Sequence, residues 1–230
     1  KSVSVETAPG CPATAQRFRK HPPLLVCRHS CSSTHGSGTL LRLLPTKNPM
    51  QPPLNTYCHA AKDHPFHGPY HDFEYGFPIA DDDNLFGRLL LEINQAGLSW
   101  LTILKKKEAF KKAYADFSIE KVAGFGAGDR DRLLSDAGII RNRLKVAAAI
   151  SNAQVILELQ AAHGSFRNWL DAHHPLPKNE WVKLFKKTFR FTGGEITGEF
   201  LMSTGYLPGA HHEACPVYAQ IASLSPPWMH

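Results

Sequence analysis

The chain has 230 residues, 43% of them hydrophobic, with 26 Lys/Arg against 20 Asp/Glu and a formal net charge of +6. That length supports one good core or two small ones, and no window approaches the roughly 18 consecutive apolar residues of a membrane span, so no membrane partner is expected. The positive charge does not mark the whole chain as a polyanion binder: seven basic residues and one acid fall in residues 1–49, which leaves 19 of each sign in residues 50–230. A nucleic-acid partner would therefore be held by a local patch and not by a general field.

Residues 1–49 are rich in Ser, Thr, Pro and Arg and show no sustained periodicity. Such a composition buries too little surface to offset chain entropy, so the segment is expected to be disordered. An Arg-rich, acid-poor leader also fits an organellar transit peptide. The preferred expectation is upstream sequence translated along with a domain that natively starts at Met50, the first methionine.

The organised part, residues 50–230, reads as all-α. Tyr70 to Pro78 (YHDFEYGFP) is expected to be a loop, in which Tyr70 and Tyr75 flank His71, Asp72 and Glu74. A helix is predicted over residues 83–97, where Leu85, Phe86, Leu89, Leu90, Ile93, Ala96 and Gly97 share one arc of a 3.6-residue wheel. A second helix over residues 101–115 carries Lys105, Lys106, Lys107, Lys111 and Lys112 on its outer face. Ser118 reads as an N-cap ahead of a short helix, and Asp129 to Ala137 as a helix ended by Gly138. Leu144 to Ala162, Ser165 to His173, Asn179 to Lys187 and Glu195 to Ser203 complete the set. Phe189 to Phe191 alternates like a strand but is too short to build a sheet.

Four features carry chemistry. Glu92 falls at the edge of the apolar arc, where a carboxylate is costly unless paired or facing a polar ligand; the simple alternative is an i,i+4 pair with Arg88. Tyr70, Tyr75 and Trp100 are packing residues singly. Together with Glu92 they can form a slot whose walls stack on a flat ring and whose floor accepts hydrogen bonds. Cys58 precedes His71 by thirteen positions, and His211 precedes Cys215 with three between, a common ligand spacing for a closed Cys₂His₂ zinc set. Two unrelated thiols, a disulfide and surface histidines are the alternatives, and His212 competes with His211. Finally, SDAGIIRNRLKVAAAI (residues 135–150) reads as helix, Gly turn, helix, with Arg141, Asn142, Arg143 and Lys145 at the second start. Such a hairpin can aim backbone N–H groups at a phosphate, although Ile140 stands where a second Gly is usual, and a helical turn with a solvated basic end is the plainer reading.

In combination these blocks resemble the 3-methyladenine DNA glycosylase I family of bacterial alkylation-repair enzymes. The resemblance covers about residues 56–218. It rests on Cys58 with YHDFEYGFP, LEINQAGLSW at 91–100, DAGIIRNRLKV at 136–146 and the His211/Cys215 end, with QAGLSW at 95–100 the most specific run. It implies an all-α helix–hairpin–helix glycosylase fold and one structural zinc per chain, bound by Cys58, His71, His211 and Cys215 and joining the two ends of the domain. It also implies a base pocket lined by Tyr70, Trp100 and Glu92, with Tyr75 beside it, and a DNA-holding hairpin from Gly138 through Arg141 and Arg143 to Lys145. The implied activity is monofunctional hydrolysis of the N-glycosidic bond of N3-methyladenine in double-stranded DNA after base flipping, by a monomer in the bacterial cytoplasm. Glu92 then acts in recognition or as a base. The chain departs from the family at Ala60, His67 and Tyr75, where the family usually has Trp, Tyr and Trp, and in residues 186–196 (KKTFRFTGGEI). A non-catalytic, zinc-stapled DNA-binding module and a glycosylase aimed at another alkylated base are the alternatives.

Overall fold

The computed structural model describes residues 51–230; the expectations for residues 1–49 and for a start at Met50 fall outside these. Eleven α-helices and two short 3₁₀ turns follow one another, with no strand among the described residues. They are α1 (Tyr57–Ala61), α2 (His67–Phe73), α3 (Asp82–Gln95), α4 (Trp100–Ala113), α5 (Ile119–Ala123), α6 (Ala127–Ser135), α7 (Arg143–His163), α8 (Phe166–His173), α9 (Lys178–Thr188), α10 (Gly194–Ser203) and α11 (Pro216–Ser223).

Helix α3 is central and touches α4, α5, α7, α8 and α10. Its apolar arc is buried throughout: Leu85, Phe86, Leu89, Leu90 and Ile93 are 0–1% exposed. The helix starts where the Asp81 side chain accepts from the amide of Asn84 at 2.8 Å, and Asp82 and Asp83 in the first turn suit the positive end of the helix dipole. It ends before Gly97, whose φ of +81° suits glycine. A second aromatic cluster (Phe166, Trp169, Trp181, Phe185, Phe200) fills the space between α8, α9 and α10.

Asp82 joins these halves. Its carboxylate accepts from the amides of Phe166 (2.7 Å) and Arg167 (3.0 Å) and from the Gln160 side chain (2.7 Å). One carboxylate thus satisfies the start of α8 while sitting in the first turn of α3. Three bonds to one charged acceptor predict that Asp82→Ala lowers unfolding free energy by roughly 3 kcal/mol, read by urea titration; a loss under about 1 kcal/mol would show the link to be redundant.

The predicted helices are present, with ends shifted by a residue or two. Helix α6 stops at Ser135, and the Asp136 side chain, not a glycine cap, accepts from Gly138 N at 2.7 Å. Gly164 does close α7, at φ +84°. The segment from Tyr70 is not a loop: Tyr70, His71 and Asp72 lie on α2. That helix has no side-chain N-cap, and Gly68-Pro69 in its first turn hides its periodicity. Helices α1 and α11 are also additions to the expected set. Phe189 to Phe191 is a turn against α9, not a strand.

Candidate functional site

Two constellations form beside α2, which contributes His71 to one and Tyr70 to the other. The first is a group that could hold a metal ion. Cys58 comes from α1, His71 from α2, His211 from the segment after α10, and Cys215 caps α11. All four are buried, and their ligand atoms lie within 4.8 Å of one another. Cys215 Sγ is 3.6 Å from His71 Nε2 and 3.8 Å from His211 Nδ1, and Cys58 Sγ is 3.8 Å from the same His211 Nδ1. Both cysteines are free, which removes the disulfide alternative. His212 stands aside: its backbone amide donates to Cys58 Sγ at 3.4 Å, but its ring is not in the cluster.

The outer partners set the tautomers. His211 Nε2 lies 2.6 Å from the carbonyl oxygen of Tyr75, which can only accept, so Nε2 carries the proton and Nδ1 turns its lone pair on the sulfurs. His71 Nδ1 lies 2.7 Å from Asp72 Oδ1, which leaves Nε2 to face Cys215. Carboxylate and carbonyl partners of this kind are what orient metal-binding imidazoles. Burial pushes the Cys58 thiol up to about 11 and His211 down to about 4. A neutral imidazole set among buried thiols can hold a metal, whose charge would favour the thiolates.

The second constellation is ringed and acidic. Tyr70 and Trp100 are 3% and 4% exposed, and Tyr75 and Glu92 are fully buried. Trp100 opens α4, fixed by Ser99, whose hydroxyl accepts from Thr102 N at 3.2 Å. Tyr70 and Trp100 have ring centroids 5.0 Å apart at 57°, and Tyr70 and Tyr75 are 5.5 Å apart at 32°. A flat base sandwiched between two rings needs roughly 7 Å between them, twice a stacking contact of about 3.5 Å. Tyr70 and Trp100 are therefore not the two walls of an open slot. They touch, and a flat ring would lie against the pair. Burial raises the Tyr75 phenol well above its usual range, and the carboxylates of Glu199 and Glu92 push it further. A second carboxylate, Glu199 of α10, is therefore close enough to act on Tyr75.

Glu92 is among the charges that act on Arg88, but the pair is not exclusive. The guanidinium of Arg88 goes to Tyr70 Oη at 2.8 Å and to Glu74 at 3.1 Å. Ala60 is exposed on α1, and the same helix supplies a ring at Tyr57, which packs edge-on against Tyr75 at 5.4 Å with its hydroxyl 3.0 Å from His67 Nδ1. Tyr57 and Glu199 have no place in the sequence reading, and Arg88 enters it only as a pair for Glu92. Tyr57, next to Cys58, was the one within reach of a local signal.

In the hairpin, Arg141 and Arg143 are exposed, as is Leu144 at 69%. The amides of Leu144 and Lys145 are already taken by Asn142 Oδ1 at 3.0 and 3.2 Å, so the helix start offers an anion less than the bare motif suggests. Lys145 is buried, and burial lowers its pKa. Its ammonium donates to the carbonyls of Asn94 (2.8 Å) and Ala96 (2.7 Å) at the end of α3. In the other direction, Lys106 of α4 donates to the carbonyls of Ala137 (2.8 Å) and Gly138 (3.2 Å). Two lysines stitch the hairpin to the helices that carry Glu92 and Trp100.

Comparison with known proteins agrees with these blocks. The methyladenine glycosylase family matches residues 60–187. The DNA-3-methyladenine glycosylase of Haemophilus influenzae is 31% identical over 182 residues, 71% of this chain and 98% of that protein. DNA-3-methyladenine glycosylase 1 of Escherichia coli is 33% identical over 180 residues, 70% of this chain and 96% of its own length. A crystal structure of a 3-methyladenine DNA glycosylase I variant in complex with 3-methyladenine superposes with a TM-score of 0.63 at 35% identity, covering 70% of this chain and 96% of the other. The Staphylococcus aureus enzyme, whose structure addresses 3-methyladenine recognition, gives 0.63 at 34% identity, over 70% and 95%. With the match spanning nearly the full length of these relatives, this chain is a member of the methyladenine glycosylase family.

Proposed function

We propose that this protein is a monofunctional DNA glycosylase that hydrolyses the N-glycosidic bond of N3-methyladenine in double-stranded DNA. The observation that carries the reading is a fully buried carboxylate, Glu92, whose charge acts on Tyr75 and Arg88, the residues packed against and bonded to Tyr70, on a chain similar over most of its length to enzymes of that name. Methylation at N3 places a positive charge on the base, which then leaves as a neutral group. The bond is weak, and little acid catalysis is needed. A buried carboxylate that accepts hydrogen bonds from the cationic base, with electron-rich rings against its face, favours that base over adenine. The nucleotide must first leave the stack, at a cost of a few kcal/mol. Water then attacks the sugar, and Glu92 acts chiefly in recognition. Lys145, the one lysine in the hairpin motif, has its ammonium on two carbonyls, which suits a mechanism without a Schiff base. The test is chromatography of the bases released from methylated duplex DNA; a folded protein that releases no 3-methyladenine would falsify the reading.

The metal is zinc, one per chain, in a structural role. Tetrahedral zinc with bonds of about 2.3 Å to sulfur and about 2.0 Å to nitrogen separates the two atoms by roughly 3.6 Å, close to the 3.6–3.8 Å observed. When bound, it supplies charge and a fixed tetrahedral geometry; four protein ligands leave no position for water. A reducing compartment such as the bacterial cytoplasm keeps both thiols available.

DNA is held at a helix–hairpin–helix formed by α6, the turn and α7. With the amides of Leu144 and Lys145 occupied, phosphate contact falls to the side chains of Arg141 and Arg143. Replacing both by Ala should weaken duplex binding for all sequences alike and reduce the slope of log K against log salt by about 2. Fluorescence anisotropy over a salt series measures this, and an unchanged slope would place the phosphate contacts elsewhere. The protein acts as a monomer, and sedimentation with and without DNA checks it.

A further inference from the structure

We propose that Arg88 is a positioning residue for the base pocket, whose guanidinium fixes the ring and hydroxyl of Tyr70. The inference rests on the reading of Tyr70 as a base contact.

Arg88 lies inside α3 and is 6% exposed. A cation there is costly unless its N–H groups find partners. The fork divides between two groups from the α2 side: Nη1 donates to Tyr70 Oη at 2.8 Å, and Nη2 donates to Glu74 Oε2 at 3.1 Å. The guanidinium carbon also lies 4.9 Å from the centroid of the Tyr70 ring. Arg88 therefore holds both the phenol and the ring it belongs to. Glu74 is in turn held by Lys107 of α4, the helix that Trp100 begins. The line Lys107, Glu74, Arg88 ties α4, the end of α2 and α3 together and finishes on the Tyr70 phenol.

Arg88, Glu74 and Lys107 line a cleft of about 390 Å³ with Phe73, Leu91 and Phe117, and Tyr70 is not among its walls. The guanidinium is what stands between the cleft and the ring. A hydrophobic side chain would fill the place of Arg88 with less desolvation, but it could not orient a hydroxyl. As acceptor from a cation, Tyr70 Oη directs its own proton away from Arg88. The geometry thus fixes both the plane of the ring and the sense in which its hydroxyl donates. Lysine cannot substitute, because one ammonium lacks the planar fork that reaches two partners. Burial opposes the charge on Arg88, but Tyr70, Glu74 and Glu92 outweigh it and hold the guanidinium protonated.

The test combines ring spectroscopy with a mutant cycle. The chain has six tyrosines, so ring-labelled tyrosine gives a simple NMR spectrum, and Tyr70→Phe assigns the Tyr70 signals. In wild type these are one sharp set. In Arg88→Met they broaden through exchange while the other tyrosines do not. Single-turnover release of 3-methyladenine falls roughly tenfold in Arg88→Met, and the double variant with Tyr70→Phe is no slower than the slower single variant. Sharp Tyr70 signals in folded Arg88→Met, or losses that multiply in the double variant, overturn the proposal. Should Arg88→Met not fold, Arg88→Lys carries the same test, with the same broadening expected. A wild type that releases no base would defeat the glycosylase reading, and the ring signals would still decide whether Arg88 holds Tyr70.

Discussion

Glu92→Gln folds normally and releases 3-methyladenine from methylated DNA roughly two orders of magnitude more slowly than wild type. Glutamine keeps the shape of the side chain and one acceptor oxygen, so the change isolates the charge. Hydrogen bonds to an ionised acceptor are worth about 1.5–3 kcal/mol against about 1 for a neutral one. Weakening one or two of them at a cationic base therefore costs about 0.5–4 kcal/mol in the transition state, and the stated loss, about 2.7 kcal/mol, corresponds to two such bonds. The loss should be smaller for an uncharged purine, because a neutral base gains less from the carboxylate. Stability falls as well. Glu92 is 0% exposed and is among the charges that hold the buried Arg88 guanidinium protonated, so the variant should melt below the wild-type temperature. Release within threefold of wild type would mean that the charge on Glu92 is not what recognises the base.

The second large effect concerns the metal. Metal analysis of the purified protein should give about one zinc per chain, and Cys215→Ala should lose it and melt about 10 °C lower. The four ligands come from α1, α2, the segment after α10 and the start of α11, so the ion closes a loop from Cys58 to His211, 153 positions long. Loop closure on that scale costs the unfolded chain several kcal/mol of entropy, of the order a 100-residue crosslink removes. For a domain of 150–250 residues, each kcal/mol corresponds to about 2–4 °C. A Cys215→Ala protein that binds no metal yet melts within 2 °C of wild type (well under one such step) would show the cluster to be without weight in stability.

The legible parts of this molecule were those where one short stretch carries its own pattern. Helix α3 could be read because its arc repeats for four turns between Asp81 and Gly97, and α7 because Gly164 closes it. The ingredients of both sites were visible as residue types. What was not visible was their pairing. Arg88 reads from helical spacing as the i,i+4 partner of Glu92, whose charge does act on it; its further partners, Tyr70 and Glu74, precede it by 18 and 14 positions, which no helical spacing displays. Lys145 looked like a surface cation because the hairpin motif is basic, yet its target is the end of a helix about fifty positions earlier. Helix α2 was hidden by Gly68 and Pro69, and α1 by its length of five residues.

The crossed lysines, Lys106 onto the hairpin turn and Lys145 onto the end of α3, bear on how force is shared when DNA binds. On the proposed reading they would fix the distance between the phosphate grip and the base pocket through four ammonium–carbonyl bonds, of which that from Lys145 to Asn94 is buried. A protein braced in this way acts as a gauge. On the proposed reading the strand would bend and swing until one nucleotide spans that length, so the work of extrusion would be done by deforming the duplex, and a lesion that already loosens its own stacking would reach the pocket most easily.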